Sequence, residues 1–342
     1  PFQCDKNEKG VVILGELSPY QLKGLDVFLD QLGWPVIADP LSGFSGNAGT
    51  VFCPYMEWAG LASVAPSEGP DVILHVGGRY VSKGIEQYIQ KNQISRYYHV
   101  GAHSEYPAIN ASHRWVILKE NWEQQWQSWA KNIGDNQDNM IEWRERMKSK
   151  SNIAGQVISE FVKQKPQSEL SMIHTISEHM HPDACYFISN SLPIRLYDWV
   201  RYTPNKANSI MGNRGASGID GIISTGVGVA MGSRKKTTII IGDMACQHDL
   251  NGLALLSQSK VPIRVIIINN NGGQIFSLLP VGHLRCKDAI DTYIKTTHNA
   301  RFKDWVNGFG INYQCIKSCD ALKNCLSKDN QVHEVIELCP GG

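Results

Sequence analysis

The chain has 342 residues, enough for two domains with separate cores. Its 33 lysines and arginines offset 32 aspartates and glutamates to a formal net charge of +1, with no long block of either sign, so nothing points to nucleic acid or an anionic membrane. No apolar run approaches the ~20 residues of a membrane-spanning helix, and no secretory signal pattern is present.

The sequence opens at Pro1 rather than at a methionine, which reads as a piece of something longer. Short apolar runs then alternate with helical patterns. "VVILG" (11–15) predicts a strand, and "SPYQLKGLDVFLDQLG" (18–33) a helix with Ser18 as N-cap, Pro19 in the first turn and Gly33 as the stop. "PVIAD" (35–39), "DVILHVGG" (71–78) and "RWVILK" (114–119) predict further strands, and "VSKGIEQYIQKN" (81–92) and "NWEQQWQSWAKNI" (121–133) further helices. Strand then helix, repeated, is the pattern of a parallel α/β sheet. Residues 138–165 are charged, polar and helical, a plausible domain connector. A second α/β series follows in "CYFIS" (185–189), "TTIIIGD" (237–243), "IRVIIINN" (263–270), "INYQCI" (311–316) and "VHEVIEL" (332–338). The chain therefore reads as α/β, two doubly wound parallel-sheet domains covering residues 1–150 and 151–342.

Two strands of the second series end in polar groups. "TTIIIGD" stops at Gly242 and Asp243, and "RVIIINNN" at Asn269, Asn270 and Asn271. As parallel neighbours they bring their carboxyl ends to one sheet edge, where open α/β sheets bind ligands. The stretch between them has the length of one crossover helix, with "HDLNGLALLSQ" (248–258) as its body. A carboxylate and an amide from adjacent strand ends, with a carbonyl from a glycine turn, form an oxygen-only half-shell suited to Mg²⁺ or another hard divalent ion. Gly272 and Gly273 let the backbone approach a bulky anion. A plain turn remains the simpler alternative, since an Asn-Gly pair alone is weak.

Other features point less far. "GVGVAMG" (226–232) is similar to a dinucleotide loop but has a strand after it rather than before, so tight packing of a helix on a sheet is preferred. The nine cysteines contain no Cys-x-x-Cys pair and read as reduced thiols of a cytosolic protein. His174, His179 and His181 read as the polar face and end of a helix rather than a zinc site. Arg195 follows a strand, Arg214 sits in the Gly-rich loop "GNRGASGID" (212–220), and Lys83 holds the same strand-to-helix position in the first series. Arginines so placed suit a carboxylate clamp, with a solvated or ion-paired surface role as the alternative.

The pairing of "GD" with "NN" resembles the thiamine-diphosphate fingerprint. More closely, "SNSLPIR", "NRGASGIDG", "GDMACQHDLNGLALL" and "NNNGGQIFSLLP" resemble the 2-succinyl-5-enolpyruvyl-6-hydroxy-3-cyclohexene-1-carboxylate synthase family of menaquinone biosynthesis. "LGWPVIADPLSG" and "RYVSKGIEQYI" resemble its central domain. The resemblance implies a central and a diphosphate-binding domain without the pyrimidine-binding domain, and so a fragment inactive alone. It implies thiamine diphosphate with Mg²⁺ or Mn²⁺, the metal held by Asp243, Asn270 and the Gly272 carbonyl. Asn190, Ser191, Met244, Ala245 and Asn271 would lie around the cofactor, with Ile219 propping its bent form. Arg195, Arg214 and Lys83 would meet substrate carboxylates, and Ile275, Phe276 and Leu279 would form an apolar wall. The implied reaction is decarboxylation of 2-oxoglutarate and conjugate addition of the succinyl carbanion to isochorismate, in a cytoplasmic homodimer or dimer of dimers. An acetohydroxyacid synthase relative, another thiamine-diphosphate carboligase, and a non-catalytic module are the alternatives. Ala245 stands where relatives often have serine, and Gly84 where some have arginine, with Arg79 nearby.

Overall fold

The structure, a computed structural model, describes residues 2, 8–47, 49–57, 69–92, 94, 96–102, 111–133, 140–201, 209–279, 287–328 and 330–341. Asp138 and Pro280, which belong to predicted segments, lie outside the described residues. The chain divides into two compact units, Pro1–Glu160 with Arg201–Ala207, and Phe161–Val200 with Asn208–Gly342. The helix Ile141–Gln164 runs unbroken through residue 150, so the division falls near its carboxyl end. Its single glycine, Gly155, packs on Tyr55, where a Cβ would come within 2.8 Å of the ring.

The first unit is built on a parallel sheet of β1 (Gly10–Leu14), β2 (Val36–Ala38), β3 (Val72–Val76), β4 (Arg96–Gly101) and β5 (His113–Val116), in the order β2-β1-β3-β4-β5. Alternate residues of β1 serve opposite faces, as the two-residue period of a strand demands. Val12 and Leu14 join a core with Phe28, Trp122 and Trp126, whereas Val11 and Ile13 join one with Ile85, Tyr88 and Met147. The predicted helix over 18–33 is two helices, Pro19–Leu22 and Leu25–Leu32, because Gly24 takes a left-handed conformation (φ 78°) between them. Strand β4, "RYYHVG", escapes a search for apolar runs. It is buried because its polar groups are satisfied: Tyr97 bonds to His75 Nδ1 at 2.8 Å, and His99 Nε2 donates to the Gly77 carbonyl at 2.9 Å.

The second unit is a six-stranded parallel sheet of β6 (Cys185–Ile188), β7 (Ser209–Met211), β8 (Thr237–Gly242), β9 (Ile263–Ile268), β10 (Asn312–Ile316) and β11 (Glu334–Leu338), ordered β10-β11-β9-β8-β6-β7. Both sheets are thus parallel α/β, as the sequence leads one to expect. From β6 the chain goes outward to β7 and then returns to β8 on the other side of β6, so a topological switch point lies between β6 and β8. The register pairs Gly242 with Ile268, which sets Asp243 beside Asn269 and Asn270 at one edge. The glycine-rich "GVGVAMG" lies inside the helix Ile222–Ser233, where Gly226 packs so closely that a Cβ would meet Ile239 Cδ1 at 2.5 Å. The predicted single crossover helix is an α-helix, Asp243–His248, followed by a 3₁₀ helix, Leu250–Gln258. The break falls at Asp249, whose carboxylate turns to accept from the N–H (2.8 Å) and hydroxyl (3.0 Å) of Ser224. Among the described residues no helix is long and apolar enough to cross a membrane.

The buried His75 gives the first unit a pH dependence. Its Nε2 faces the Gly78 carbonyl at 2.9 Å, an acceptor, so Nε2 carries the proton and Nδ1 accepts from the Tyr97 hydroxyl. Burial, then the neighbouring His99, pushes its pKa down from 6.5 to about 3, against the Gly78 bond. A folded-state pKa below the unfolded one means that the fold holds the neutral ring. The contribution is complete above pH 6.5 and is lost as pH falls towards 3. Denaturant titrations followed by tryptophan fluorescence should show stability falling over that window by at most ~1.4 kcal/mol per pH unit from this one proton. His75→Asn should flatten that part of the slope.

Candidate functional site

The carboxyl ends of β6, β8 and β9 converge on a cavity of about 300 Å³ in the second unit. Its lining includes Asn190 and Ser191 after β6, Asp243, Met244 and Ala245 after β8, and Asn270, Gly272, Ile275 and Phe276 after β9, with Ile219 and Glu169. An apolar run that ends at a strand tip delivers its first polar residue to the sheet edge, and all three strands use that device.

Asp243 opens the helix that follows β8 and is buried. Its Oδ1 accepts from the Met244 N–H at 2.7 Å and its Oδ2 from the Gly272 N–H at 2.8 Å, while His298 Nε2 lies 3.2 Å from Oδ2. Burial raises its pKa, and the two N–H groups and His298 partly oppose that. Gly272 therefore meets Asp243 through its N–H, and its carbonyl accepts from the Gln274 N–H at 2.8 Å.

The three asparagines do three different things. Asn269 donates to Glu337 Oε1 at 2.7 Å and accepts from the Asn271 N–H at 3.2 Å, so it ties the strand end to β11. Asn270 faces the cavity: its Nδ2 donates to Glu169 Oε2 at 3.0 Å, and its Oδ1 is buried without a hydrogen-bond partner among the described residues. Asn271 is exposed, carries the left-handed turn (φ 64°) and lies outside the lining. Gly272 follows at φ 123°, where a Cβ would stand 2.6 Å from the Lys295 carbonyl.

On the β6 side, Asn190 is held at both ends of its amide, donating to the Gly218 carbonyl at 2.8 Å and accepting from Arg214 Nη1 at 2.9 Å. Arg195 donates to the carbonyl of Ser191, which itself sits at φ 71°. Burial, and then the charge of Arg214, lowers the pKa of Arg195, so the two guanidiniums are neighbours. Arg214 Nε is buried and unpartnered among the described residues. Neither arginine lines the cavity, but each holds a residue that does. Leu279, half-buried, ends the short 3₁₀ helix Gln274–Leu278 just beyond Ile275 and Phe276 and is also outside the lining. Lys83 is exposed at the start of the helix Lys83–Asn92 in the first unit.

Sequence reasoning missed Glu169 and His298. Glu169 begins the helix Glu169–Glu178, behind the cap Ser168. Burial raises its pKa to about 7, the Asn270 bond opposes that, and the charge of Asp243 adds to it. Its local pattern announces a helix start and nothing more, because the partner lies 101 residues away. His298 follows no strand and carries no local signal. Among the described residues no group of three or more His, Cys, Asp or Glu side chains is placed to hold a metal ion. What the cavity offers instead is a mixed oxygen set from a carboxylate and an amide.

Residues 3–188 match the family model described as the middle domain of thiamine pyrophosphate, and residues 197–334 match the thiamine pyrophosphate enzyme C-terminal TPP binding domain. The chain belongs to the thiamine pyrophosphate enzymes. It is 31% identical over 312 residues to a protein of Shewanella frigidimarina, covering 90% of this chain and 52% of that one. It is 32% identical over 320 residues to one of Aliivibrio fischeri, covering 90% and 52%. A Pelodictyon phaeoclathratiforme protein is 40% identical over 172 residues, covering 50% of this chain and 28% of its own length. All three are named 2-succinyl-5-enolpyruvyl-6-hydroxy-3-cyclohexene-1-carboxylate synthase. The chain spans about half the length of the curated relatives it matches.

The turn after β9 is the most easily disrupted part of the site. Gly272→Ala should destabilise the second unit by ~1–3 kcal/mol in denaturant titrations, the scale of one residue forced into a disallowed backbone conformation. The clash with the Lys295 carbonyl adds to it.

Proposed function

We propose that this chain supplies the central and diphosphate-binding parts of a 2-succinyl-5-enolpyruvyl-6-hydroxy-3-cyclohexene-1-carboxylate synthase, acting on 2-oxoglutarate and isochorismate. The family membership and the names of the relatives support the activity. The observation that carries the site is the buried, unpartnered Asn270 Oδ1 beside the buried Asp243 carboxylate in one cavity. An acceptor left in that state fits a hard cation, which would satisfy it.

In this reading Asp243 and Asn270 would hold Mg²⁺ or Mn²⁺ by their side chains and Gly272 by its carbonyl. Asn190, Ser191, Met244 and Ala245, which line the cavity, would surround the diphosphate, with Asn271 shaping the turn beside them. Ala245 has only its backbone to offer there. Thiamine diphosphate, when bound, supplies the electron sink for decarboxylation. The protein's own part is to bind, orient and exclude water. Ile219, in the cavity lining, would support the cofactor. Ile275, Phe276 and Leu279 present an apolar wall that keeps water from the reacting carbon. Arg195 and Arg214, neighbours of like charge, bind the carboxylates of two anionic substrates. The setting proposed is a cytoplasmic homodimer or dimer of dimers.

Metal binding tests the site and turnover tests the reaction. The 342 residues should bind Mn²⁺ saturably in the presence of thiamine diphosphate, and Asp243→Ala or Asn270→Ala should each weaken that at least ~10-fold, as loss of a ligand or its support does. The same residues assayed alone should not turn over 2-oxoglutarate, since the relatives are about twice as long. In a polypeptide of the relatives' length, Arg195→Ala and Arg214→Ala should raise KM for the anionic substrates by ~10–100-fold, the loss expected when one partner of a charge pair is removed. Condensation of pyruvate with no consumption of isochorismate would replace this reading with that of an acetohydroxyacid synthase relative.

A further inference from the structure

We propose that Glu169 is a positioning residue for the metal site: its carboxylate fixes the side-chain amide of Asn270 so that Oδ1, and not Nδ2, is presented to the cation. This rests on the metal–diphosphate reading above. A primary amide has two faces of similar shape and opposite character, and a half-turn about its last bond exchanges an acceptor for two donors. A ligand asparagine that presents its NH₂ to a cation does not bind it. Something must therefore choose the face.

Glu169 Oε2 lies 3.0 Å from Asn270 Nδ2. The Glu169 oxygen accepts at this contact, so it takes the NH₂ face and turns Oδ1 the other way. That oxygen is then left buried without a partner among the described residues, in the cavity that Asp243 also lines. The rest of Asn270 is held as well, its backbone carbonyl accepting from Gln274 Nε2 at 3.3 Å. Glu169 is itself set firmly. It is the first residue of its helix, and Ser168 Oγ accepts from the Ser171 N–H at 3.2 Å while the Ser171 hydroxyl donates to the Lys165 carbonyl at 2.7 Å. A carboxylate in the first turn also faces the positive end of the helix. The helix Glu169–Glu178 thus sets the chemistry of a residue 101 positions along the chain.

The test is Mn²⁺ affinity, measured by electron paramagnetic resonance on the 342-residue chain with thiamine diphosphate, and thermal unfolding run alongside. Glu169→Ala should weaken Mn²⁺ binding by ~10–100-fold, the usual effect of removing a group that orients a ligand. Glu169→Gln keeps an oxygen that can accept from Nδ2 but adds an NH₂ that can equally donate to Oδ1, so it no longer selects one face and should fall between wild type and Glu169→Ala. Asn270→Asp supplies the decisive comparison, because a carboxylate has two equivalent oxygens and needs no orienting. In that background Glu169→Ala should cost nothing. Wild-type affinity in Glu169→Ala, or wild-type affinity in Glu169→Gln beside it, overturns the proposal. So does an undiminished penalty in the Asn270→Asp background. Absence of thiamine-diphosphate-dependent Mn²⁺ binding in the wild type as well as every variant overturns instead the metal reading beneath it.

Discussion

The register between β8 and β9 is the constraint on which the site depends. Pairing Gly242 with Ile268 places Asp243 and Asn270 at one edge, and the Gly272 N–H then closes on Asp243 Oδ2 at 2.8 Å. These strands are covered on both faces, so the two-residue alternation that fixes register in half-exposed sheets carries little information here. Their ends fix it instead. Asp243, Asn269 and Asn270 cannot slide into an interior of isoleucines without losing their partners. At the opposite end Arg264 meets Glu334, its register partner on β11, at 2.7 Å. Each fully buried isoleucine or valine contributes ~1.5–3 kcal/mol to holding the strands together. The apolar residues supply the cohesion, and the polar tips decide the alignment.

The same edge is electrically divided. On the β8 and β9 side lie two carboxylates, the buried Asp243 and the half-buried Glu169, and desolvation raises the pKa of both. On the β6 side Arg195 and Arg214 sit close enough for one to lower the pKa of the other. Like charges held together by a fold are destabilising until a counter-charge arrives. In charge, the carboxylate side suits a cation and the guanidinium side suits anions.

Much of this was legible in the sequence, for a physical reason. Strand tips in a parallel sheet are local features, and a run such as "TTIIIGD" shows both the strand and the residue it delivers. The alternation of strands and helices gave the two sheets in the same way. Interactions between distant segments were hidden. Nothing near Glu169 refers to Asn270, and nothing near His298 refers to Asp243. Strand β4 was hidden because much of its buried surface comes from Tyr97, Tyr98 and His99, residues whose polar groups make them look exposed in the sequence, and hydrogen bonds of Tyr97 and His99 permit that burial. The three asparagines were legible as a group but not as individuals, since only the folded turn assigns one to β11, one to the cavity and one to the left-handed bend.

Backbone strain also collects at this edge. Among the described residues, the non-glycine positions with positive φ are Ser191, Ser217, Arg234, Asn271 and Thr296. Ser191 and Thr296 line the cavity and Asn271 adjoins it. Conformations of this kind cost about 1–3 kcal/mol each and persist only where the surroundings over-determine them. Here the determinants are visible: Arg195 holds the Ser191 carbonyl, and Asn269 Oδ1 holds the Asn271 N–H. Beyond them, the Gly273 N–H reaches the Lys295 carbonyl at 2.7 Å, next to Thr296. The strained turns point backbone and side-chain groups into the cavity that regular strand ends would point past it. The fold accepts that strain because the buried sheet beneath is stable enough to impose it, and the result is a site whose polar groups are already oriented before any ligand arrives.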